Sequence, residues 1–251
     1  MTPGSPAHPA PTAPDPASPA PFLTAEWRWL VMLSWDADPA VLRPYLPAGT
    51  ELDDWNGRIL ASVVGFRFLR TRVLGMPVPL HQAFEEVNLR FYVRRRGPEG
   101  WRRGVVFVRE IVPRAAVAAV ARLVYNEPYV VRPMRSRLGP GAVEYGWRQE
   151  GRWCAVRART AGEPRPVAPG SQEEFVTEHY WGYTRQRDGG TVEYRVEHPS
   201  WGVWPASDAA LDCDPATAYG PAFAAMLASP PASAFVADGS AVTVRRGVRI
   251  A

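Results

Sequence analysis

Between residues 26 and 34, Trp27, Trp29, Val31 and Leu33 alternate with Arg28, Leu30 and Met32, which predicts a strand buried along most of both faces. Comparable period-two runs predict strands at 59–70, 86–95 and 105–112, with an Asn56-Gly57 hairpin signal before the first and a 97–100 turn joining the last two. Further strands are expected at 129–138, 142–149, 153–160, 182–187, 192–198, 234–237 and 241–248, with turns at Gly139-Pro140-Gly141 and Asp188-Gly189-Gly190. Helices are fewer. Asp38-Pro39 opens a short one that Pro47 closes, 115–125 reads as a buried alanine-rich helix, Ser171 and Glu174 form a capping box for a helix running to about His179, and 222–227 is helical. This order predicts a mostly β (α+β) fold, an antiparallel sheet that curls or closes with a few peripheral helices. Residues 1–21 are Pro/Ala-rich with almost nothing to bury, so we expect a disordered tail followed by a single domain over 22–251.

Composition sharpens the picture in one respect. All 29 basic side chains are arginine; the 251 residues contain no lysine. An internal Schiff base and a P-loop lysine are therefore excluded. The net charge of +4 is too small to announce nucleic acid. The Arg-aromatic stretch 92–103 could hold phosphate and stack a base, but it also reads as an ordinary solvated hairpin tip. Two cysteines are too few for a disulfide framework, and the acids on either side of Cys213 should raise its thiol pKa. The start of the sequence lacks an apolar signal core, and no apolar run is long enough to span a bilayer, so a cytoplasmic protein is expected.

Candidate chemistry concentrates on residues 84–93. Glu86, Asn88, Arg90 and Tyr92 share one face and Val87, Leu89, Phe91 and Val93 the other. The polar row suits an anion-binding, proton-moving site, or equally the solvated face of a sheet. Arg109 and Glu110 point to opposite sides of the next strand, each requiring a partner, whether functional or structural. His198 is either a general acid–base or a histidine capping a strand end against tryptophan, and Glu197 beside it points the other way. His81, His179 and His198 show no metal spacing, and neither a G-x-S-x-G elbow nor a glycine-rich cofactor loop is present, so no metal and no cofactor are expected.

Segments 42–49, 86–93, 105–113 and 123–129, with Thr177-Glu178-His179-Tyr180 and Glu197-His198-Pro199-Ser200-Trp201, resemble in order the family known as domain of unknown function 2071, from about Phe22 onward. That family is similar in fold to acetoacetate decarboxylase, and the resemblance implies a curved, cone-like antiparallel β barrel around an apolar cavity. Acetoacetate decarboxylase acts through a lysine after a Gly-x-Pro motif; here the comparable stretch is Asn126-Glu127-Pro128-Tyr129, with tyrosine at the lysine's place. The expected function is binding of a small oxo or carboxylate compound, with non-covalent lyase- or isomerase-like acid–base chemistry by Glu86, Tyr129 as donor and Arg109 as anion clamp. Arg90, Asn88, Glu110 and His198 complete the expected binding set. The competing expectation is a non-catalytic ligand sensor or protein-interaction domain on the same fold. The expected partner is a small molecule, with neither nucleic acid nor membrane, and homo-oligomerisation is left open.

Overall fold

The computed structural model describes residues 20–79, 81–116, 118 and 126–251. The tail over 1–19 and most of the helix expected at 115–125 lie outside the described residues. The principal strands are β1 (Pro21–Asp36), β2 (Arg58–Val73), β3 (Phe84–Gly97), β4 (Gly100–Val112), β5 (Tyr129–Val131), β6 (Met134–Gly139), β7 (Ala142–Gln149), β8 (Arg152–Arg159), β9 (Trp181–Arg185), β10 (Thr191–Glu197), β11 (Gly202–Pro205), β12 (Ser207–Asp212) and β13 (Ser233–Arg245).

Seven of them close a barrel in the order β13-β1-β2-β3-β4-β9-β10, with β10 returning to β13. Six joints are antiparallel, as the hairpin signals predict. The seventh is parallel: Trp181 and Gly182 of β9 pair with Gly104 and Val105 of β4. The far end of the same β4 edge takes β5, also parallel, with Glu110 opposite Tyr129. The run 129–138 is therefore not one strand. Pro133 cannot donate to a ladder and divides it, β5 joining the barrel and β6 leaving for a second sheet. Conversely, 234–248 contains one long strand to Arg245, because Gly239 passes through φ +78° opposite Arg28 without ending the pairing. The strands β11 and β12 carry no alternation that sequence reading detected.

The second sheet, ordered β12-β8-β7-β6, lies over the outside of β1–β3. Val143, Tyr145, Trp147 and Val156 from it pack with Val31, Leu33, Val63, Val87, Leu89 and Phe91. The inner face of the barrel is a separate cluster that includes Leu30, Met32, Val64, Phe66, Phe68, Phe84 and Tyr92. Trp29 interrupts the alternation: at φ +56° it forms a bulge where the β1–β2 register shifts. Tyr145 of the covering sheet holds that bulge, its hydroxyl donating to the carbonyls of Arg28 (3.2 Å) and Trp29 (3.0 Å).

The helices are short: α1 (Pro39–Leu42), α2 (Gln172–Thr177), α3 (Pro215–Tyr219) and α4 (Ala224–Ala228). The Ser171 hydroxyl accepts from Glu174 N–H (3.1 Å), as a capping box requires. The reciprocal arm reaches one residue further back, Glu174 accepting from Gly170 N–H (2.6 Å). No helix among the described residues is long and apolar enough to cross a membrane.

The parallel joint gives a test of closure. A Cβ on Gly104 would lie 2.6 Å from the Trp181 carbonyl oxygen, and backbone there cannot step aside. Gly104→Ala is expected to lower stability by about 1–3 kcal/mol in urea denaturation; an unchanged midpoint contradicts a closed joint at this position.

Candidate functional site: a carboxyl-lined cavity in the barrel

Because residues 84–93 of β3 are covered outside by the second sheet and face the lumen inside, neither face of that stretch is open to solvent. The row Glu86, Asn88, Arg90 and Tyr92 therefore points into the barrel, and the solvated-face reading is overturned: Glu86 is 2% exposed and Asn88 1%. Their side chains border a cavity of about 320 Å³, also lined by Arg90, Glu110, Glu127, Tyr129, His179 and His198. Trp27, Phe66, Phe68 and Phe84 make its apolar wall, Trp27 meeting Phe66 and Phe68 edge-on at 5.2 and 5.9 Å and Phe68 stacking on Phe84 at 4.5 Å.

Hydrogen bonds gather on Glu86. Asn88 Nδ2 donates to its Oε1 at 2.9 Å, and Tyr129 Oη donates to its Oε2 at 3.0 Å. Burial nevertheless outweighs these bonds and raises the carboxyl to about pKa 7. Glu110, 2% exposed and directly opposite Asn88 in the β3–β4 ladder, is pushed well above the usual carboxylate range by burial and by the carboxyls of Glu127 and Glu86. Glu127, which accepts from the Thr184 and Tyr194 hydroxyls, is raised to about 7 by burial. Tyr129, buried among these acids, keeps its proton far more firmly than a free phenol.

The histidines divide. His179 Nε2 lies 3.1 Å from Asp53 Oδ2, and Asp53 also accepts from Arg103 Nε at 2.6 Å. Burial lowers His179 to about pKa 4, so the ring is neutral, Nε2–H donates to Asp53, and Nδ1 is left as an acceptor without a partner among the described residues. His198 stacks on Trp201 at 4.1 Å and 18°, as the strand-cap reading expects, and still borders the cavity. Burial lowers its pKa as well.

Of the expected site residues, Glu86, Asn88, Arg90, Glu110, Tyr129 and His198 converge on the cavity. Arg109 does not. It is on the opposite side of β4 from Glu110 and donates from Nη1 to the Ala218 carbonyl at 2.6 Å, outside the barrel, so it cannot clamp a ligand there. Glu127 and the Asp53–His179 pair were not singled out as candidates. Glu127 precedes a proline in a short polar stretch that looks like a loop, and Asp53 and His179 are 126 positions apart. A signal for Glu127 existed in its place two residues before Tyr129. Elsewhere, Cys154 and Cys213 border a separate cavity of about 110 Å³. Cys213 is raised to about 12, by burial first and then by Cys154 and its flanking acids. The Arg-rich hairpin is largely neutralised: Arg94 pairs with Glu51, Arg103 with Asp53, and Arg95 and Arg102 with Glu193, while Arg94 and Arg96 flank Trp101.

Residues 24–241 match the family of uncharacterised conserved proteins designated DUF2071. The chain belongs to this family. It is 30% identical over 182 residues to the uncharacterised protein YqjF of Bacillus subtilis (strain 168), covering 71% of this chain and 74% of that protein. Solved structures give the fold. Acetoacetate decarboxylase from Legionella pneumophila superposes with a TM-score of 0.67 at 16% identity, covering 97% of this chain and 92% of that one. The enduracididine biosynthesis enzyme MppR in complex with pyruvate gives 0.64 at 15% over 94% and 92%. An acetoacetate decarboxylase-like enzyme from Sphingomonas wittichii RW1 gives 0.62 at 16% over 92% and 94%. The DUF2071 chain described here thus has the acetoacetate decarboxylase-like barrel, with Tyr129 inside the cavity.

The raised carboxyls make stability depend on pH with a definite sign. Below about pH 4.5 folded and unfolded chains both hold the Glu86 proton; as pH rises to 7 the unfolded chain releases it first, so the favourable contribution is lost. His179 acts oppositely, its contribution being lost as pH falls from 6.5 toward 4. Glu86→Gln removes only the first effect. Its stability relative to wild type is expected to rise by ~2 kcal/mol or more between pH 4.5 and pH 8 in denaturant titrations; a difference that does not vary with pH contradicts a buried acid.

Proposed function

We propose that the protein binds a small oxo compound in the barrel cavity and moves a proton on it without a covalent intermediate. The observation that carries this reading is the buried Glu86 carboxyl, bonded by Asn88 and Tyr129 and held near neutrality, the range in which a carboxylate works as a base on carbon acids. Glu86 takes a proton from the carbon beside the carbonyl. Once Glu86 holds that proton, the Tyr129 hydroxyl turns from the carboxyl to hydrogen-bond the oxygen on which negative charge develops, and Glu86 returns the proton to the same carbon or to another carbon of the resulting enolate, completing an exchange or isomerase-like step.

Arg90, Asn88, Glu110 and His198 bind and orient the compound, and the aromatic wall receives its apolar part. The relatives on this barrel support small-molecule chemistry, MppR in its complex with pyruvate among them. A Schiff base has no part in it, since the sequence contains no lysine.

The test is hydrogen–deuterium exchange. Short ketones, aldehydes and keto acids are incubated with the protein in D2O, and loss of the proton beside the carbonyl is followed by NMR. Selective exchange is expected with part of the panel, and Glu86→Gln should slow it by roughly 100-fold or more. Thermal stabilisation without exchange removes the catalytic step and leaves a ligand sensor; neither effect across the panel removes the oxo-compound reading.

A further inference from the structure

The polar end of the cavity contains more acid than the proposed proton transfer uses. Glu86, Glu110 and Glu127 are 2%, 2% and 6% exposed. Among the described lining residues Arg90 alone carries a fixed positive charge, and its Nη2 already donates to the Val176 carbonyl at 3.2 Å. A carboxylate ligand would face three carboxyls and one partly engaged guanidinium.

Trp27 Nε1 and Arg90 Nε, also on lining residues, are buried donors without a partner among the described residues, whereas beside the acids two atoms lack a donor. Asn88 commits Nδ2 to Glu86 and leaves Oδ1 with no hydrogen-bond partner among the described residues. Glu110 Oε2, on the residue directly opposite in the ladder, also has none. Side chains directly opposite on one face of an antiparallel pair have Cβ atoms about 4.5–5.5 Å apart, so the Asn88 amide and the Glu110 carboxyl stand side by side, and once Glu110 is ionised both present an acceptor there. A buried acceptor without a donor is costly, and a carbonyl or carboxylate oxygen placed there would only add a third acceptor.

We propose that the cavity selects amines: a ligand's protonated amino group is seated between Asn88 Oδ1 and Glu110 Oε2, with its apolar body against Trp27, Phe66, Phe68 and Phe84. This deepens the preceding reading, on which it rests, by naming the head group that accompanies the oxo function. An ammonium offers three donors and no acceptor. It satisfies both orphan oxygens and adds the positive charge that the acid cluster lacks. The cavity volume is at the small end of the range for organic ligands, ~300–1,000 Å³.

Proton release should accompany binding. Glu110 faces Glu86, Asn88 and Arg90 from β3, Tyr129 from β5, Glu127 with Tyr194 behind it, and His179 and His198 elsewhere on the cavity wall. Its unliganded carboxyl holds a proton against these neighbours; an ammonium favours the ionised form, so the proton leaves and affinity climbs with pH until the amine itself deprotonates.

The experiment compares 2-phenylethylamine, 2-phenylethanol and phenylacetate, one apolar body with three heads, by titration calorimetry on the full chain. Measurements at pH 6 and 8, in two buffers of different ionisation enthalpy, count released protons. The amine is expected to bind at least about tenfold more tightly than the alcohol, with phenylacetate weakest and amine affinity higher at pH 8. Glu110→Gln should reduce the amine-to-alcohol affinity ratio about tenfold or more and diminish proton release on amine binding. Asn88→Leu tests the second oxygen in the same way, so a failure of either variant to fold leaves the other decisive. Phenylacetate binding tightest, or an amine-to-alcohol ratio unchanged in both variants, overturns the ammonium seat yet leaves the cavity a ligand site. None of the three binding overturns the seat, and the deuterium-exchange panel decides the oxo-compound reading separately.

Discussion

Double burial of β3 governs the molecule. A strand of alternating character ordinarily turns its polar side to water, but here the second sheet covers Val87, Leu89 and Phe91 while the barrel closes over Glu86, Asn88 and Arg90. Closure depends on the edge of β4. Gly104 and Val105 accept β9 at one end and Glu110 meets β5 at the other, so one strand both seals the wall and brings Tyr129 against the acids. The site is a consequence of how the sheet closes, since every acid in it is displaced from water by that same wall.

Much of this was legible in residue order. The period-two runs located the long strands, and the side assignment within 86–93 held because side chains alternate in any strand, whatever covers it. Which side faced inward could not be read: both the apolar row and the polar row are consistent with burial once a second sheet exists, and β6, β7 and β8 do not advertise which strands they cover. The parallel joint was invisible for a related reason. Turn chemistry predicts neighbours joined by a hairpin, whereas β4 and β9 are separated by four of the principal strands, and nothing local in Gly104 or Trp181 marks their pairing. Arg109 shows the limit of charge reasoning. Its partner is the carbonyl of Ala218, and backbone acceptors have no sequence signature.

Absence of lysine changes what this barrel can do rather than whether it forms. A Schiff-base enzyme requires a neutral amine, and a cavity built for one tolerates few uncompensated acids near it because they hold the amine protonated. With Tyr129 where the resemblance implies an amine, that restriction is lifted. Glu86, Glu110 and Glu127 can then share the dry interior, Glu86 raising the proton affinity of the other two and Glu127 that of Glu110.

That sharing explains why the cavity needs no matching set of arginines. Three ionised carboxyls in an apolar barrel would repel strongly, but retained protons remove most of the charge, and Arg90 offsets part of what remains. The neighbouring hydroxyls do not reach every acceptor: Tyr129 serves Glu86 and also bonds the Glu110 carboxyl, Thr184 and Tyr194 serve Glu127, and Asn88 Oδ1 and Glu110 Oε2 stay without partners among the described residues. His179 is excluded from the exchange by its own geometry. Asp53, which is not among the lining residues, accepts the hydrogen bond from its Nε2–H, the ring remains neutral, and Nδ1 is one more acceptor without a partner among the described residues. Around the three acids the cavity therefore combines unpartnered acceptors with stored protons, which favours a ligand group that donates hydrogen bonds there, while Trp27 Nε1 and Arg90 Nε elsewhere in the lining remain open to an acceptor.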